Sequence, residues 1–214
     1  MDKQINNFTY AEEIWHAITH GLGLLLSLIG LVVLVAYAAL NGSTLAIVSS
    51  SIYGATLLIM YGSSTIYHAL THKRLKKIFQ TFDHASIYLL IAGTYTPVTL
   101  VALHDSVFGL LIASLEWSIA IFGIYMKFKY PNKFETLSLI LYVLMGWMIV
   151  VAIEPLRNVV VDNGFYLLVA GGLAYTLGVY YYINDSKPYY HAIWHLFVLA
   201  GSAFHFFMIL LYII

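Results

Sequence analysis

The chain has 214 residues, of which 61% are hydrophobic and only 9% are charged, far below the roughly 25% charged residues of an ordinary soluble domain. This composition predicts a protein that resides in lipid. Ten basic and ten acidic residues balance each other, so no basic excess favours nucleic acid as a partner. The sequence has no cysteine, which excludes disulfides and thiolate metal sites, and any metal must be held by histidine or carboxylate side chains.

Seven long apolar segments follow one another, separated by short polar stretches. Each is close to the about 20 residues with which an α-helix crosses about 30 Å of hydrocarbon, and a helix satisfies every backbone polar group within its own segment. The sequence therefore predicts an all-α, polytopic membrane protein in which residues 1–214 form a single seven-transmembrane-helix domain. The predicted helices are about 17–40, 45–70, 82–103, 107–126, 136–153, 164–183 and 191–214.

The basic residues predict the orientation of this bundle, because Lys and Arg are enriched in cytoplasmic loops. Nine of the ten, from Lys3 through the loops after the second and fourth helices to Lys187, fall on one side of the membrane. Only Arg157 falls on the other side. The pattern predicts a cytoplasmic N-terminus and an exterior C-terminus. It also supports the number of helices, since one helix more or fewer would scatter the charges over both faces.

The first helix has one competing interpretation, a signal peptide cleaved after the small residues of Ala36-Tyr37-Ala38. Two features argue against it. The segment before the helix is acidic at Glu12 and Glu13, and the apolar run is longer than the about 7–15 residues of a signal core. We therefore predict a transmembrane helix.

Four ionisable side chains share one predicted depth, at the cytoplasmic ends of their helices. His68 ends the second helix, Asp83 opens the third, and His191 and His195 lie in the first turns of the seventh. Residues four apart project from one helical face, which applies to His191 with His195 and to Ser64 with His68. Three histidines from two helices can hold a metal such as Zn²⁺ and leave one position open for a water, whose proton a nearby carboxylate can accept.

Simpler roles exist for each of these residues taken alone. A histidine at a membrane interface commonly keeps its polar edge in water. Asp83 could be the N-cap of the third helix, and Ser64, after Gly62, could serve close helix packing. These roles are compatible with a metal site, and the joint occurrence at one depth favours the site because intramembrane ionisable groups are functional candidates.

Several motifs resemble the hemolysin III branch of the progestin and adipoQ receptor family, which is related to the alkaline ceramidases. The resemblance runs over nearly the whole chain, and its motifs appear in order at matching positions of the topology. They are Glu12-Glu13 with Thr19-His20-Gly21, Ser63-Ser64-Thr65-Ile66-Tyr67-His68, Phe82-Asp83-His84, and His191-Ala-Ile-Trp-His195 continuing through Gly201 to His205.

The resemblance implies a zinc ion held by His68, His191 and His195, with Asp83 contacting a water on the zinc and Ser64 beside it. The activity it implies is hydrolysis of a lipid amide or ester, with the lipid entering sideways from the bilayer. It also implies a multi-pass protein of the cell membrane, as in a bacterial plasma membrane.

Three other functions remain open. One is a regulatory or receptor-like membrane protein in which the zinc is structural. Another is a pore-forming cytolysin, which the physics supports least because seven apolar helices do not readily leave one cell and insert into another. The third is a haem-binding bundle, since paired histidines on facing helices can ligate iron. The sequence makes no prediction about oligomeric state.

Two ionisable residues lie deeper in the predicted bilayer. Glu116 occupies the middle of the fourth helix, and His205 lies about 15 Å beyond His195 along the seventh, too far to share its metal site. A contact between Glu116 and His205 would reduce the cost of burying both. The alternative is that Glu116 is protonated or faces a water pocket.

The remaining histidines are predicted outside the ligand set. His16 and His20 are four apart on the first helix and could line the pocket or support its ligands, but a solvated helix start is the favoured interpretation. His72 and His84 flank the basic loop and are predicted to be wet. His104 is predicted at the opposite face.

Overall fold

The computed structural model describes residues 8–214, and within that range all regular structure is helical. Lys3, which entered the orientation argument, lies outside the described residues. A π-helical turn, Val98–Ala102, continues α3, and a 3₁₀ segment, Met148–Ala152, joins α5 to α6. The helices are α1 Tyr10–Asn41, α2 Thr44–Ala69, α3 Lys73–Pro97, α4 Val107–Lys129, α5 Glu135–Gly146, α6 Ile153–Val159, α7 Asp162–Ile183 and α8 Tyr190–Tyr212.

Seven helical segments within the described range are long and apolar enough to cross a membrane. Two of them are composite, since α3 counts together with its π-helical turn and α5 counts together with α6. The predicted all-α, seven-span fold is confirmed, and the chain is a multi-pass membrane protein.

The distribution of side chains is the reverse of that in a soluble protein. On α1, Leu25, Ile29 and Val32 are each more than 60% exposed, whereas His16 and Glu116 are fully buried. Large apolar side chains facing outward require a lipid surround, and these two ionisable groups lie in the interior of the bundle.

The start of α1 lies seven residues before the predicted one because a capping box precedes it. Glu12 N–H donates to Thr9 Oγ1 (3.3 Å), and Thr9 N–H donates back to Glu12 Oε2 (2.9 Å). These bonds satisfy backbone donors that are otherwise unpaired at a helix start. Glu12 Oε1 also accepts from the backbone N–H of Tyr189 (2.9 Å). The start of α1 is thereby tied to the residue that precedes α8.

The start of α3 also differs from the prediction. The segment 73–77, predicted as a basic loop, forms the first turns of the helix, and His72 is the N-cap residue. Lys76 Nζ donates to the carbonyl oxygens of Tyr67 (3.0 Å) and Leu70 (3.2 Å) at the end of α2. Because these carbonyls have no helical partner of their own, Lys76 stabilises the tight connection between the two helices.

The fifth span continues to residue 159, past the predicted end at 153, because a break in its middle is stabilised from outside. Tyr95 of α3 donates its hydroxyl to the carbonyl oxygen of Gly146 (3.1 Å) and accepts from the backbone N–H of Ile149 (3.0 Å). These are backbone groups near the break, where α5 gives way to the 3₁₀ segment, and in lipid they require a partner. The other predicted spans end within three residues of the observed ends.

Helix α2 packs between α1 and α3. Glycines permit the close approach, since a Cβ atom added at Gly54 would collide with Leu31 of α1, and one added at Gly93 of α3 would collide with Thr56. Small residues at such contacts are typical of membrane helices. Helix α1 also contacts α8, so α1, α2 and α8 form one corner of the bundle.

One end of the bundle carries nearly all of the basic residues. It is the end at which α1, α3, α5 and α8 begin, and we call it the site end. Eight of the nine basic residues within 8–214 lie there, and Arg157 lies at the opposite end. The cytoplasmic location of the site end stays a prediction.

Candidate metal centre

Five histidine side chains converge at the site end. His16 and His20 come from α1, His68 from α2, and His191 and His195 from α8. All five are buried, with His16 fully enclosed. Their rings contact one another, with ring centroids between 3.5 and 5.4 Å apart in the pairs that touch.

The three histidines predicted as metal ligands lie together. One ring nitrogen from each of His68, His191 and His195 lies within 4.8 Å of the other two. The i, i+4 spacing places His191 and His195 on one face of α8, and the contact between α1 and both α2 and α8 closes the corner around them. This geometry can hold one metal ion.

A carboxylate fixes the ring of His68. Its Nδ1–H donates to Glu13 Oε2 (2.7 Å), and Lys76 Nζ lies 3.0 Å from the other carboxylate oxygen. Since a carboxylate accepts, the proton resides on Nδ1 and the lone pair on Nε2. Nε2 is buried and has no hydrogen-bond partner within residues 8–214. A carboxylate behind a histidine in this way is the usual support of a metal-ligating imidazole.

A hydroxyl fixes the ring of His195 in the same way. Thr19 Oγ1 lies 3.0 Å from His195 Nδ1 and donates its own proton to the carbonyl oxygen of Trp15 (2.8 Å). The hydroxyl oxygen therefore accepts from His195 Nδ1–H, which leaves Nε2 as the nitrogen with a lone pair. On the third ring, His191 Nδ1 lies 3.8 Å from Asp185 Oδ2.

A cavity of about 130 Å³ adjoins the histidines. Its lining at the site end includes Ser64, Asp83, His191 and His195, and elsewhere it is mostly apolar side chains of α3, α5, α7 and α8. Asp83 does not belong to either group of side chains close enough to share a metal ion. Asp83 instead lines the same cavity as His191 and His195.

Asp83 reaches this position from within α3, about three turns after the helix begins, so the alternative that it caps the helix is wrong. The neighbouring Ser86 Oγ donates to the backbone carbonyl of Asp83 (2.7 Å) and is 3.0 Å from Ser63 Oγ of α2. This contact holds α2 and α3 together next to Ser64. It thereby fixes the relative positions of Ser64 and Asp83.

Comparison with known proteins gives a family assignment. The model of the family described as haemolysin-III related matches residues 8–206. The chain belongs to this family. The resemblance read from the motifs is confirmed.

The relatives of this haemolysin-III-related protein span bacteria and animals. It is 43% identical over 203 residues to Hemolysin-3 of Bacillus cereus, covering 95% of this chain and 92% of the relative. It is 46% identical over 205 residues to the Hemolysin-3 homolog of Bacillus subtilis, covering 96% of each. It is 31% identical over 175 residues to the human Monocyte to macrophage differentiation factor, covering 78% of this chain and 71% of the relative.

The donor set of this family member fits zinc. Its three candidate ligands are imidazole nitrogens, which suit zinc, and the chain has no thiolates. The buried Nε2 of His68 without a partner is the atom that a metal would satisfy. A second group, formed by Glu13, His16 and His68, also has its candidate ligand atoms within 4.8 Å of one another.

The favoured interpretation of His16 and His20 as a solvated helix start is wrong. Because α1 begins at Tyr10, His16 lies nearly two turns inside the helix and is fully buried. His20 stacks on His195, with ring centroids 3.5 Å apart and an angle of 10° between planes. The Thr9-x-x-Glu12 capping-box pattern is the sequence signal for the early start of α1, which places both residues beyond the first turn of the helix.

Two supporting residues, Glu13 and Thr19, were not among the predicted site residues. Both lie on α1, one turn before and one turn after the depth of His16, and each bonds a histidine of another helix. Both belong to motifs that carry the family resemblance, Glu12-Glu13 and Thr19-His20-Gly21. Their contacts with His68 and His195 could not be predicted because they depend on which helices α1 contacts.

The deeper ionisable residues do not contact each other. Both carboxyl oxygens of Glu116 are buried and have no hydrogen-bond partner in the described part of the chain. His205 Nε2–H instead donates to the carbonyl oxygen of Leu168 (3.2 Å). Of the two alternatives for Glu116, the contact with His205 is therefore not made.

The peripheral histidines follow the predictions in two cases of three. His72 is exposed, and His104 lies in the connection before α4, at the end opposite the site end. His84 is partly buried instead of wet. Its Nδ1 lies 3.5 Å from Glu135 Oε2, and the residue helps to line the cavity.

Proposed function

We propose that this haemolysin-III-related protein binds zinc and hydrolyses an amide or ester bond of a membrane lipid. The observation that carries the proposal is the convergence of three imidazoles within 4.8 Å next to an apolar cavity that a carboxylate also lines. The polar end of the cavity suits a reacting carbonyl, and its apolar remainder suits a hydrocarbon chain.

The ligands in this proposal are His68, His191 and His195. When bound there, zinc supplies a Lewis acid that polarises a carbonyl and activates a water. Glu13 and Thr19 hold two of the ligand rings in the tautomer that binds metal.

Asp83 and Ser64 act on the substrate side of the centre. Asp83 accepts a proton from the attacking water as the water oxygen bonds to the carbonyl carbon. It then returns that proton to the departing amine or alcohol as the C–N or C–O bond breaks. Ser64 donates a hydrogen bond to the developing oxyanion.

Access from the bilayer is supported by the cavity wall between α5 and α7. Gly146 and Thr176 line the cavity and are also exposed on the outer surface of the bundle. A Cβ atom added at Gly146 would meet nothing within 4 Å. A lipid chain can therefore enter here without first crossing water.

The test compares turnover with metal content in purified protein. Asp83→Asn removes the proton acceptor, and we expect a loss of about 10²–10⁴-fold in hydrolysis of a panel of N-acyl amides and acyl esters. Zinc content should stay unchanged. Asp105→Asn, at an exposed position outside the helices, is the control. Equal turnover of Asp83→Asn and the unmodified protein contradicts the proposal.

A structural zinc in a regulatory protein is the second candidate, favoured by the enclosure of the histidines among three helices. It gives a different result in the same experiment. Ligand substitutions then lower the melting temperature, while Asp83→Asn is silent in every lipid assay.

The relatives named Hemolysin-3 suggest a pore-forming cytolysin, which release of dye from liposomes containing the purified protein would support.

We also propose that the site end faces the cytoplasm, because eight of the nine basic residues within 8–214 lie there. The chain has no cysteine, so a single introduced cysteine is the only thiol that a maleimide can label. In intact cells, Lys77→Cys should resist an impermeant maleimide and Asp105→Cys should react. The reverse pattern contradicts this orientation.

A further inference from the structure

A fourth imidazole lies among the three candidate ligands. The ring centroid of His16 is 4.7 Å from that of His68, 4.8 Å from that of His191 and 5.4 Å from that of His195. The three candidate ligands are 5.2, 5.2 and 4.7 Å from one another. The six separations are nearly equal, so the four rings occupy the corners of a nearly regular tetrahedron.

The size of this tetrahedron matches a metal centre. The middle of a tetrahedron with an edge of about 5 Å lies about 3 Å from each corner. A zinc–nitrogen bond of about 2.0–2.1 Å, extended by about 1.1 Å from ring nitrogen to ring centre, gives the same distance. The ring positions therefore match four imidazoles around one zinc ion. As the rings are oriented here, the nitrogens within 4.8 Å of one another are those of His68, His191 and His195, and His16 joins them only with its ring turned.

The environment of His16 supports a ligand role. The side chain is fully buried, and neither ring nitrogen has a hydrogen-bond partner within residues 8–214. Leaving such groups unpaired is costly. The ring of Phe8 packs edge-on against it, with centroids 4.7 Å apart, and so helps to keep water away.

The position of the His16 backbone is fixed by the contacts at the start of α1. Glu12, one turn earlier, joins α1 to Tyr189 at the start of α8. One ring nitrogen of His16 lies within 4.8 Å of a ring nitrogen of His68. A half-turn of the ring about Cβ–Cγ exchanges its nitrogen and carbon positions in the same space, so a nitrogen can face the centre without repacking.

We propose that His16 supplies a fourth imidazole to the zinc centre of the resting protein. The inference rests on the proposed function, because it assumes the metal site there. It adds regulation of the open metal position by His16. With four imidazoles bound, a water or substrate oxygen must either enter as a fifth ligand or displace His16.

The test is X-ray absorption spectroscopy at the zinc edge of the full chain in detergent, together with zinc affinity from chelator competition. We expect four imidazoles in the unmodified protein and three in His16→Ala. We also expect His16→Ala to bind zinc at least about tenfold more weakly, since support residues alone change affinity by about 10–100-fold. His16→Gln serves as a second variant if the alanine variant is unstable.

His20→Phe is the matched control, because it lies one turn further along α1 and keeps an aromatic ring stacked on His195. It should retain four imidazoles. Three imidazoles in the unmodified protein, unchanged in His16→Ala, overturn this inference and leave the proposed function standing. A protein that binds no zinc overturns both.

Discussion

Two regions of the bundle bury ionisable side chains, and they differ in how those side chains are arranged. At the site end, five histidines touch one another, and two of them are held by a carboxylate or a hydroxyl. In the deeper region, Glu116 has no hydrogen-bond partner within residues 8–214, and His205 bonds only to a backbone carbonyl. Burial is common to both regions. Convergence on one centre distinguishes the first, and it is convergence that supports metal chemistry.

Removing a candidate ligand should have the largest effect on zinc binding. We expect His195→Ala to abolish stoichiometric zinc binding, because it removes one of the three candidate ligands of the proposed function and also the ring on which His20 stacks. Metal analysis of the purified variant measures this. His205→Ala, a histidine in the same helix but in the deeper region, is the control. Equal zinc in His195→Ala and the unmodified protein would place the metal elsewhere.

The sequence predicted the candidate site better than its surroundings. The parity of seven spans puts the end of α2 and the start of α8 at one face, and the four-residue spacing of His191 and His195 puts both rings on one side. Both features can be counted along the chain without knowing which helices touch. The link between His68 and Glu13 depends on which helices touch and at what height, and no pattern in one segment contains that information.

Helix starts were predicted least well. The apolar run defines where lipid begins, but α1 and α3 extend into the polar region because capping residues and Lys76 satisfy their ends and those of α2. The early start of α1 is also what turns His16 from an interfacial residue into an enclosed one.

The next effect concerns the carboxylate behind His68. Glu13→Gln keeps the size of the side chain but removes its charge, and the amide no longer favours the tautomer with a proton on Nδ1. We expect zinc affinity to fall by about 10–100-fold, measured by chelator competition. Glu154→Gln, in α6 at the far end of the bundle, should match the unmodified protein. An unchanged affinity in Glu13→Gln would show that this contact does not support a metal ligand.

A smaller effect is expected for the hydroxyl behind His195. Thr19→Val preserves shape and removes the acceptor for His195 Nδ1–H, and we expect a loss of about three- to tenfold in zinc affinity. Thr65→Val is the matched control, since Thr65 makes the same bond to its own helix backbone without touching a histidine. If both variants lose affinity equally, the effect belongs to the helix and not to His195.

The smallest effect is expected in the deeper region. Glu116→Gln changes a side chain that has no partner in the described chain, so zinc affinity should remain within about twofold and unfolding free energy within about 1 kcal/mol. Chelator competition and thermal unfolding in detergent measure the two quantities. A loss of zinc in this variant would show that the deeper region contributes to zinc binding and would contradict the distinction between the two regions.

The central claim is that the converging histidines hold a metal ion, and zinc content tests it most directly. The chain is expressed without added chelator, purified in detergent and analysed for metals against protein concentration from amino-acid analysis. We expect about one zinc per chain. Less than about half an equivalent, with no other transition metal making up the difference, would contradict the claim.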